Sequence, residues 1–567
     1  MSIYDQFDEL KATECYKVIE KGVEKFVKDE IAKHQKSIVG IKTIHDPIWG
    51  SVIYSTWEME IIDTPFLQRL RNIHQVGLAM LTYPSARHSR FEHSLGTNTA
   101  AKRMCNSINN NSDDIKISLK KQNEICLAAL LHDIGHCFFS HLSERVYGES
   151  PEFKKLSDEF NIKLSRKPKP HEILAFIIIN TKSFKDFFVN NISYPEIGTE
   201  KYLLFKKVAL MIIGANIEED NKILSYQTAI INGLFDADKL DYIMRDTVTA
   251  GLSLTYDIDR LFNKIFIHPI STTDGKVEYR LVIAFNGVTA IEELTFCKIM
   301  LFSYIYYHQK VLISEYMVED YITALCESDV IQDISDFLKN DDNSILNLYN
   351  KVDKEKLPKI FTGIDLKKLA HNIRERQLPK RSFEVSRANV EYMNGTRIEI
   401  DEMLDSLIER IRNETDFNRK EFVKEIINIY PTVMQNGKAT LDKLIIDLCD
   451  KSYLELLKKR RELYNMFSEL YLVNEMDVKF TPFDIYIVFP KDVSYGSAKD
   501  EMILGKDRKR LHTINDFIKL DDWAASFNSN KWRGYIFVTE NIDRKFVAKA
   551  CEKFVLKDSA KLKNPEI

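Results

Sequence analysis

At 567 residues the chain is too long for one ordinary domain, and domains of roughly 100–200 residues lead to an expectation of two to four compact units. Hydrophobic residues make up 44% and charged residues 29%, which excludes an aliphatic-poor disordered chain. The net charge of −4, from 84 acidic and 80 basic residues, excludes a global field that would draw the protein onto nucleic acid or anionic lipid, so any anion site must be local.

The N-terminal stretch MSIYDQFDEL lacks the basic end and apolar run of an export signal. The longest apolar runs, such as ILAFIII at 173–179, fall far below the ~20 residues that span a bilayer. The eight cysteines, Cys15, Cys105, Cys126, Cys137, Cys297, Cys326, Cys449 and Cys551, form no C-x-x-C pair and read as free thiols of a reducing compartment. A cytoplasmic chain with no membrane contact is expected.

Low glycine and proline counts, 19 and 14, together with apolar residues at i, i+3, i+4 spacing, predict a mainly α fold. Residues 1–45 read as a charged amphipathic helical lead-in. Residues 46–325 alternate apolar helices with polar loops such as NNNSDD and SRKPKP and hold all the motifs. Residues 326–567 are more charged, with solvated loops or helix ends at FLKNDDNS, VDKEKLPK and RERQLPKR. Near the C-terminus FDIYIVF (483–489) and GYIFV (534–538) are rich in β-formers and DRKFVAKACEKF (543–554) has helical spacing, which predicts a small α+β extension.

In chain order, SRFEHSLG places Ser89 three residues before Glu92, the capping box that starts a helix. His93 then falls in the first turn, where the positive helix end favours a neutral, ligating imidazole; alone, it also reads as a surface histidine. NEICLAALLHDIGH carries His132 and Asp133 on an apolar helix; alone, the pair also reads as a polar helix end. In GLFDADKLDYIMRD, Asp238, Asp241, Tyr242 and Arg245 share one helical face, which is either a solvated stripe with an i, i+4 ion pair or a functional surface. Together His93, His132, Asp133 and Asp238 offer two imidazoles and two carboxylates from three helices. That donor set suits Mn, Fe, Co, Ni or Zn, with Mg the less natural choice.

The order H…HD…D, with RFEHSLG, LLHDIGHCFFSH, PHEIL at 170–174 and DADKLDYIMRD, resembles the HD-domain phosphohydrolases. More narrowly it resembles the deoxynucleoside triphosphate triphosphohydrolases, namely the bacterial dGTPases and the SAM-and-HD-domain dNTPases. The likeness covers roughly residues 46–310. The lead-in PFLQRLRNIHQVGLAMLTYPSARHSRFEHSLG is similar to that family's nucleotide pocket, whereas the H-D-I-G-K and G-Y-P elements of cyclic-dinucleotide phosphodiesterases are missing.

The resemblance implies a helical HD core with a smaller C-terminal α+β extension, in which residues 326–567 are regulatory or oligomerising. It implies a divalent metal on His93, His132, Asp133 and Asp238, and hydrolysis of a dNTP to deoxynucleoside and inorganic triphosphate. His141, His171 and Glu172 match catalytic positions, although His171 also reads as a helix cap after Pro170. Arg90, Lys239 and Lys310 would meet the phosphates, Tyr242 and Tyr307 the sugar, and Asp246 and Gln75 the 3′-hydroxyl. It further implies a homo-oligomer and a nucleotide effector, and it is compatible with dNTP-pool control or antiviral defence. Ile299 and Ser303 stand where eukaryotic relatives carry a basic residue and a histidine. The basic cluster Lys506, Arg508, Lys509, Arg510 is a weak candidate for an effector site and reads better as a solvated loop. Two alternatives remain: another HD nucleotide phosphohydrolase, such as a nucleotidase or signalling-nucleotide hydrolase, and a nucleotide-sensing or nucleic-acid-binding module with a vestigial site.

Overall fold

The computed structural model describes residues 2–35, 40–112, 115–195, 201–386, 457–461, 463–465, 467–468, 477–493, 502–505 and 510–548. Contacts divide the chain into one unit of residues 1–311, 318–356 and 495–520 and a second of residues 312–317, 357–494 and 521–567.

The first unit is built on the helix Pro170–Asn180, whose sequence PHEILAFIIIN is apolar all round and buried from Ile173 to Asn180, as a helix with no polar face must be. The amphipathic lead-in forms two helices, Ile3–Ala12 and Glu14–Lys33. Their buried rings Phe7 and Tyr16 pack on Phe176 of that core helix. The helix Arg90–Asn111 packs against both Leu119–Leu131 and Ala237–Thr249. This three-helix contact brings together sequence segments more than a hundred residues apart.

Local signals explain where these helices begin. The Glu92 carboxylate accepts from the Ser89 hydroxyl at 3.0 Å and from the Ser89 backbone N–H, and Ser118 and Asp236 cap the other two through the N–H groups of Lys121 and Lys239. The helix Leu119–Leu131 stops with His132 at its C-cap, so Asp133 and Gly135 lie in the turn beyond. A Cβ at Gly135 would stand 2.0 Å from the His171 carbonyl oxygen, and one at Gly96 would stand 1.8 Å from Asp241 Oδ1. The absence of a side chain at these two positions is what lets the helices close on the site.

Several strands inside the first unit run against the helical expectation for 46–325. Ile265–Ser271 and Val277–Ala284 pair antiparallel across a turn in which Gly275 takes φ 81°. Met502–Leu504 joins Val277–Ala284 in parallel and Leu511–Thr513 follows it. A hairpin, Lys42–Asp46 with Gly50–Tyr54, sits ahead of the motifs. In the second unit Arg533–Val538 lies between Lys380–Ser386 and Ile485–Val488, antiparallel to both, over a core that includes Phe383, Phe480, Ile487 and Trp532. FDIYIVF and GYIFV thus supply strands as their β-formers suggest. Of 543–554, residues 544–548 are helical and Asp543 precedes them; residues 549–554 lie outside the described residues, as do Lys506, Arg508 and Lys509. The protein is mainly helical, with small sheets. Among the described residues no helix is long and apolar enough to cross a membrane.

Gly135→Ala is expected to lower the urea midpoint of unfolding, because a methyl group forced into closely packed backbone costs about 1–3 kcal/mol and sometimes more.

Candidate metal centre and adjoining histidine cluster

The fold brings the four candidate ligands of three segments to one point. His93 Nε2 lies 3.3 Å from His132 Nε2, 3.0 Å from Asp238 Oδ1 and 3.7 Å from Asp133 Oδ2. His132 Nε2 lies 3.2 Å from Asp133 Oδ1. The His93 and Asp133 side chains are buried, and Asp238, 27% exposed, faces the open side.

Each imidazole has its tautomer set by the atom behind it. His93 Nδ1 is 2.8 Å from Asp241 Oδ2 and His132 Nδ1 is 2.8 Å from the Ala129 carbonyl. Both partners only accept, so both Nδ1 atoms carry hydrogen and both Nε2 atoms are left as donors to a metal. Two such nitrogens face each other across 3.3 Å, close to the separation of roughly 3.0–3.4 Å expected for ligands each ~2.1 Å from one ion.

The charges point the same way. Asp133 pairs with Arg90, and Asp46 and Asp241 pair with Arg245; with Asp238 beside His93, four carboxylates against two guanidinium groups leave an excess of two negative charges that a divalent ion would match. Without an ion, His93 takes up part of it. Burial opposes its charged form, but the bonds to Asp238 and Asp241 outweigh burial and its pKa is pushed up to about 10. These carboxylates override the helix-end effect that would favour a neutral ring. For Asp133, burial is outweighed by Arg90, His132 and His136, which hold its carboxyl well below the usual range. Asp238 is likewise lowered, burial being overcome by His93, His132 and Lys239.

Asp241 is the partner that the helical stripe concealed. It is fully buried, accepts from Trp49 Nε1 at 2.6 Å and from Arg245 Nε and Nη2 at 2.8 Å each, and Arg245 also pairs with Asp46 at 2.8 Å. The stripe is therefore a buried ion network rather than a solvated face.

A second group adjoins the first. His136, His141, Glu144 and His171 offer ligand atoms within 4.8 Å of one another. Glu144 Oε1 lies 3.0 Å from His141 Nδ1 and 2.9 Å from His171 Nδ1. The His136 ring stacks on His171 at 3.8 Å and stands 3.3 Å from both Asp133 and Glu144, with neither in hydrogen-bonding geometry. Burial, Arg90 and His171 keep His136 neutral, well below the ordinary imidazole value. The His141 side chain is 55% exposed; the surrounding protein, Arg90 and His171 lower its pKa, while Glu144 pulls it up. Glu144, in turn, is held well below the carboxylate range, its burial outweighed by His171 and His141.

Glu172, the carboxylate next to His171 in sequence, turns away to its own helix end, where it accepts from the Lys169 N–H at 2.8 Å. The carboxylate that serves both histidines is Glu144. The HLSE spacing after FFSH, His141 to Glu144 at i, i+3, is the signal that could have found it.

The remaining candidates fall around these two groups. Arg90, buried, gives Nη1 to Asp133 at 2.8 Å, Nε to Ser140 Oγ at 2.9 Å and Nη2 to the Gln75 carbonyl at 3.3 Å. Gln75 Oε1 is buried without a hydrogen-bond partner. Lys239 Nζ lies 2.5 Å from Asp236 and 2.7 Å from the Gly233 carbonyl. Asp246 is buried with one oxygen 2.8 Å from His88 Nε2 and the other 2.5 Å from the Tyr306 hydroxyl. Tyr242, Tyr307 and Lys310 are half-buried in the same unit.

Sequence reading missed His88, Tyr306 and Lys298. The helix Val288–Leu301 continues into a π turn, Phe302–Tyr306, and the wider turn shifts which tyrosine reaches Asp246 relative to α-helical spacing. Lys298, one position before Ile299, lies among cations. Burial, Lys239 and Lys169 push its pKa down to about 8, against Asp236 and Asp238.

Comparison with known proteins gives a match to the HD domain over residues 90–202 and to the HD associated region over residues 258–461. An uncharacterized protein of Methanocaldococcus jannaschii is 30% identical over 308 residues, 54% of this chain and 54% of that protein. The deoxynucleoside triphosphate triphosphohydrolase SAMHD1 homolog of Dictyostelium discoideum is 27% identical over 345 residues, 60% of this chain and 59% of the relative. The chain thus spans between half and two thirds of the length of these relatives. The crystal structure of a hypothetical protein from Aquifex aeolicus shares the fold, with a TM-score of 0.50 at 20% identity over 90% of this chain and 99% of that one.

If Asp241 orients His93, Asp241→Asn should weaken metal retention about 10–100-fold, read by competition with a chelator.

Proposed function

We propose that this chain, which belongs to the HD-domain phosphohydrolases, hydrolyses deoxynucleoside triphosphates to deoxynucleoside and inorganic triphosphate. The observation that carries this reading is the clustering of His93, His132 and Asp238, which could hold a metal ion, with Asp133 3.2 Å from His132, beside a half-exposed histidine, His141, backed by Glu144. The name of the Dictyostelium relative, a deoxynucleoside triphosphate triphosphohydrolase SAMHD1 homolog, supports the substrate class.

His93, His132, Asp133 and Asp238 would hold a divalent ion, for which Mn, Fe, Co, Zn and Mg are the candidates. When bound, such an ion polarises a phosphate oxygen and lowers the pKa of a water. The oxygen of water bonds to the α-phosphorus, the bond from phosphorus to O5′ breaks, and O5′ needs a proton. His141 is the group assigned to give it. Its Nδ1 is engaged with Glu144, which leaves Nε2 for the leaving oxygen, and its lowered pKa makes the protonated ring a stronger acid. A polyanionic substrate nearby would keep that ring protonated. His171, on the same Glu144 oxygen, and neutral His136 stacked on it complete a set that can move a proton.

The triphosphate requires cations. Arg90 is committed to Asp133 and Ser140 and acts beneath the phosphates by holding that carboxylate, whereas Lys298, Lys239 and Lys310 are the lysines for the charged tail. Gln75, with a bare buried oxygen, and Asp246, oriented by His88 and Tyr306, would read the 3′-hydroxyl, and Tyr242 and Tyr307 the face of the sugar. Control of the dNTP pool, assembly as a homo-oligomer through residues 326–567, and activation by a nucleotide effector extend the same reading.

Incubation with each dNTP and NTP, singly and mixed, with each candidate ion and chromatographic resolution of products, is expected to yield deoxynucleoside and intact triphosphate. Monophosphate or pyrophosphate as product would overturn the reaction, and activity only in mixtures would reveal the effector. His141→Ala should lower kcat about 10²–10⁴-fold with metal content unchanged. A lysine with a pKa near 8 is cationic below that pH and neutral above it, so KM for a dNTP should climb as pH passes 8. Lys298→Arg, which stays charged, should flatten the climb.

A further inference from the structure

Asp342 lies in FLKNDDNS, a stretch that reads as a solvated loop and falls beyond the part of the chain carrying the motifs. In the structure it is 3% exposed. Both oxygens of its carboxylate are committed. Oδ1 accepts the backbone N–H of Phe139 at 2.6 Å, and Oδ2 accepts the backbone N–H of His74 at 2.9 Å and its Nδ1 at 2.6 Å.

The two residues ahead of His141 are unusual. Phe139 has φ 52° and Ser140 φ 54°, and Ser140 combines this with ψ −124°, a conformation that residues with a Cβ keep only where their surroundings over-determine it. Those surroundings form a closed circuit. Asp342 holds the Phe139 N–H, the Ser140 hydroxyl donates to the His74 carbonyl at 2.6 Å, and His74 returns to Asp342. Arg90 Nε, on the guanidinium that pairs with Asp133, donates to Ser140 Oγ at 2.9 Å. His141 begins the next helix at once, and Gln75 follows His74.

We propose that Asp342 is a positioning residue: by clamping the Phe139–Ser140 turn to the His74–Gln75 segment, it sets where the His141 imidazole stands relative to the metal ligands. Asp342 touches none of the four ligands, so removing it should leave the metal in place and displace only the proton donor. The inference rests on the role assigned to His141 above.

The test uses the full-length metal-loaded protein, with Asp342→Ala and with Asp342→Asn, which retains an acceptor for the Phe139 N–H. Hydrogen exchange, read by mass spectrometry without any substrate, should quicken about tenfold at 139–140 in the alanine variant while the helix Arg90–Asn111 keeps its protection. Metal stoichiometry should not change. With a dNTP, whose alkoxide needs a proton, kcat should fall about 10- to 100-fold. With bis(p-nitrophenyl) phosphate, whose phenolate leaves without one, it should barely move. Combining Asp342→Ala with His141→Ala should cost no more than His141→Ala alone, and the asparagine variant should recover most of the dNTP rate. Unchanged exchange at 139–140 in the alanine variant, equal losses on both esters, or losses that multiply with His141→Ala would overturn the proposal; if the alanine variant does not fold, Asp342→Ser, whose side chain is too short to bridge the Phe139 N–H and His74, decides on the same readings. Wild-type protein that turns over no dNTP would sink the function proposed above, whereas the exchange measurement tests the clamp independently.

Discussion

One buried carboxylate organises the candidate metal site. Asp241 takes hydrogen bonds from His93, Arg245 and Trp49, and through Arg245 it reaches Asp46 at the start of the hairpin turn. Burying this much charge is tolerable only because each member is paired, and removing one partner of such a network typically costs about 3–5 kcal/mol. The helix Ala237–Thr249 can come this close to Arg90–Asn111 because position 96 has no side chain. Asp241 therefore joins two helices, the hairpin and the tautomer of His93, a candidate metal ligand, in one arrangement.

The second cluster depends on the first through Asp133 and Arg90. One oxygen of Asp133 lies beside His132 and His136, and the other pairs with Arg90. Arg90 continues to Ser140, the residue before His141. A short chain of contacts thus links the candidate metal ligands to the second histidine group. The two clusters have opposite electrostatic characters: carboxylates dominate the first and keep His93 charged in the absence of metal, whereas burial and Arg90 keep His136 neutral in the second. One group is suited to holding a cation and the other to passing a proton.

Much of this is legible along the chain because its cause is local. Ser89 and Glu92 define a helix start, the apolar run before His132 and Asp133 defines a buried helix, and 3.6-residue spacing puts Asp238, Asp241 and Arg245 on one face. The strands at 483–489 and 534–538 follow from runs of β-branched and aromatic residues. The hairpin Ile265–Ala284 is harder to see, because short apolar runs of that kind fit a helix as well as a strand.

The sequence by itself pointed to His93, His132, Asp133 and Asp238 as candidate ligands and placed His93 and Asp238 on their helices, since residue type, capping and periodicity are properties of neighbours along the chain; the helix before His132 and Asp133 ends at His132 and leaves Asp133 in the turn beyond. It could not determine which carboxylate serves His171. Glu172 is adjacent in sequence but is drawn to its own helix N-terminus, and Glu144, 27 residues earlier, takes its place. Nor could it show that Asp342, in a polar and apparently loop-like stretch, lies buried under the turn before His141, or that Lys298 rather than its neighbour lies among the cations. Those assignments depend on which surfaces meet when the helices pack. Packing is decided by shape and burial over the whole unit, and only the tertiary structure carries that information.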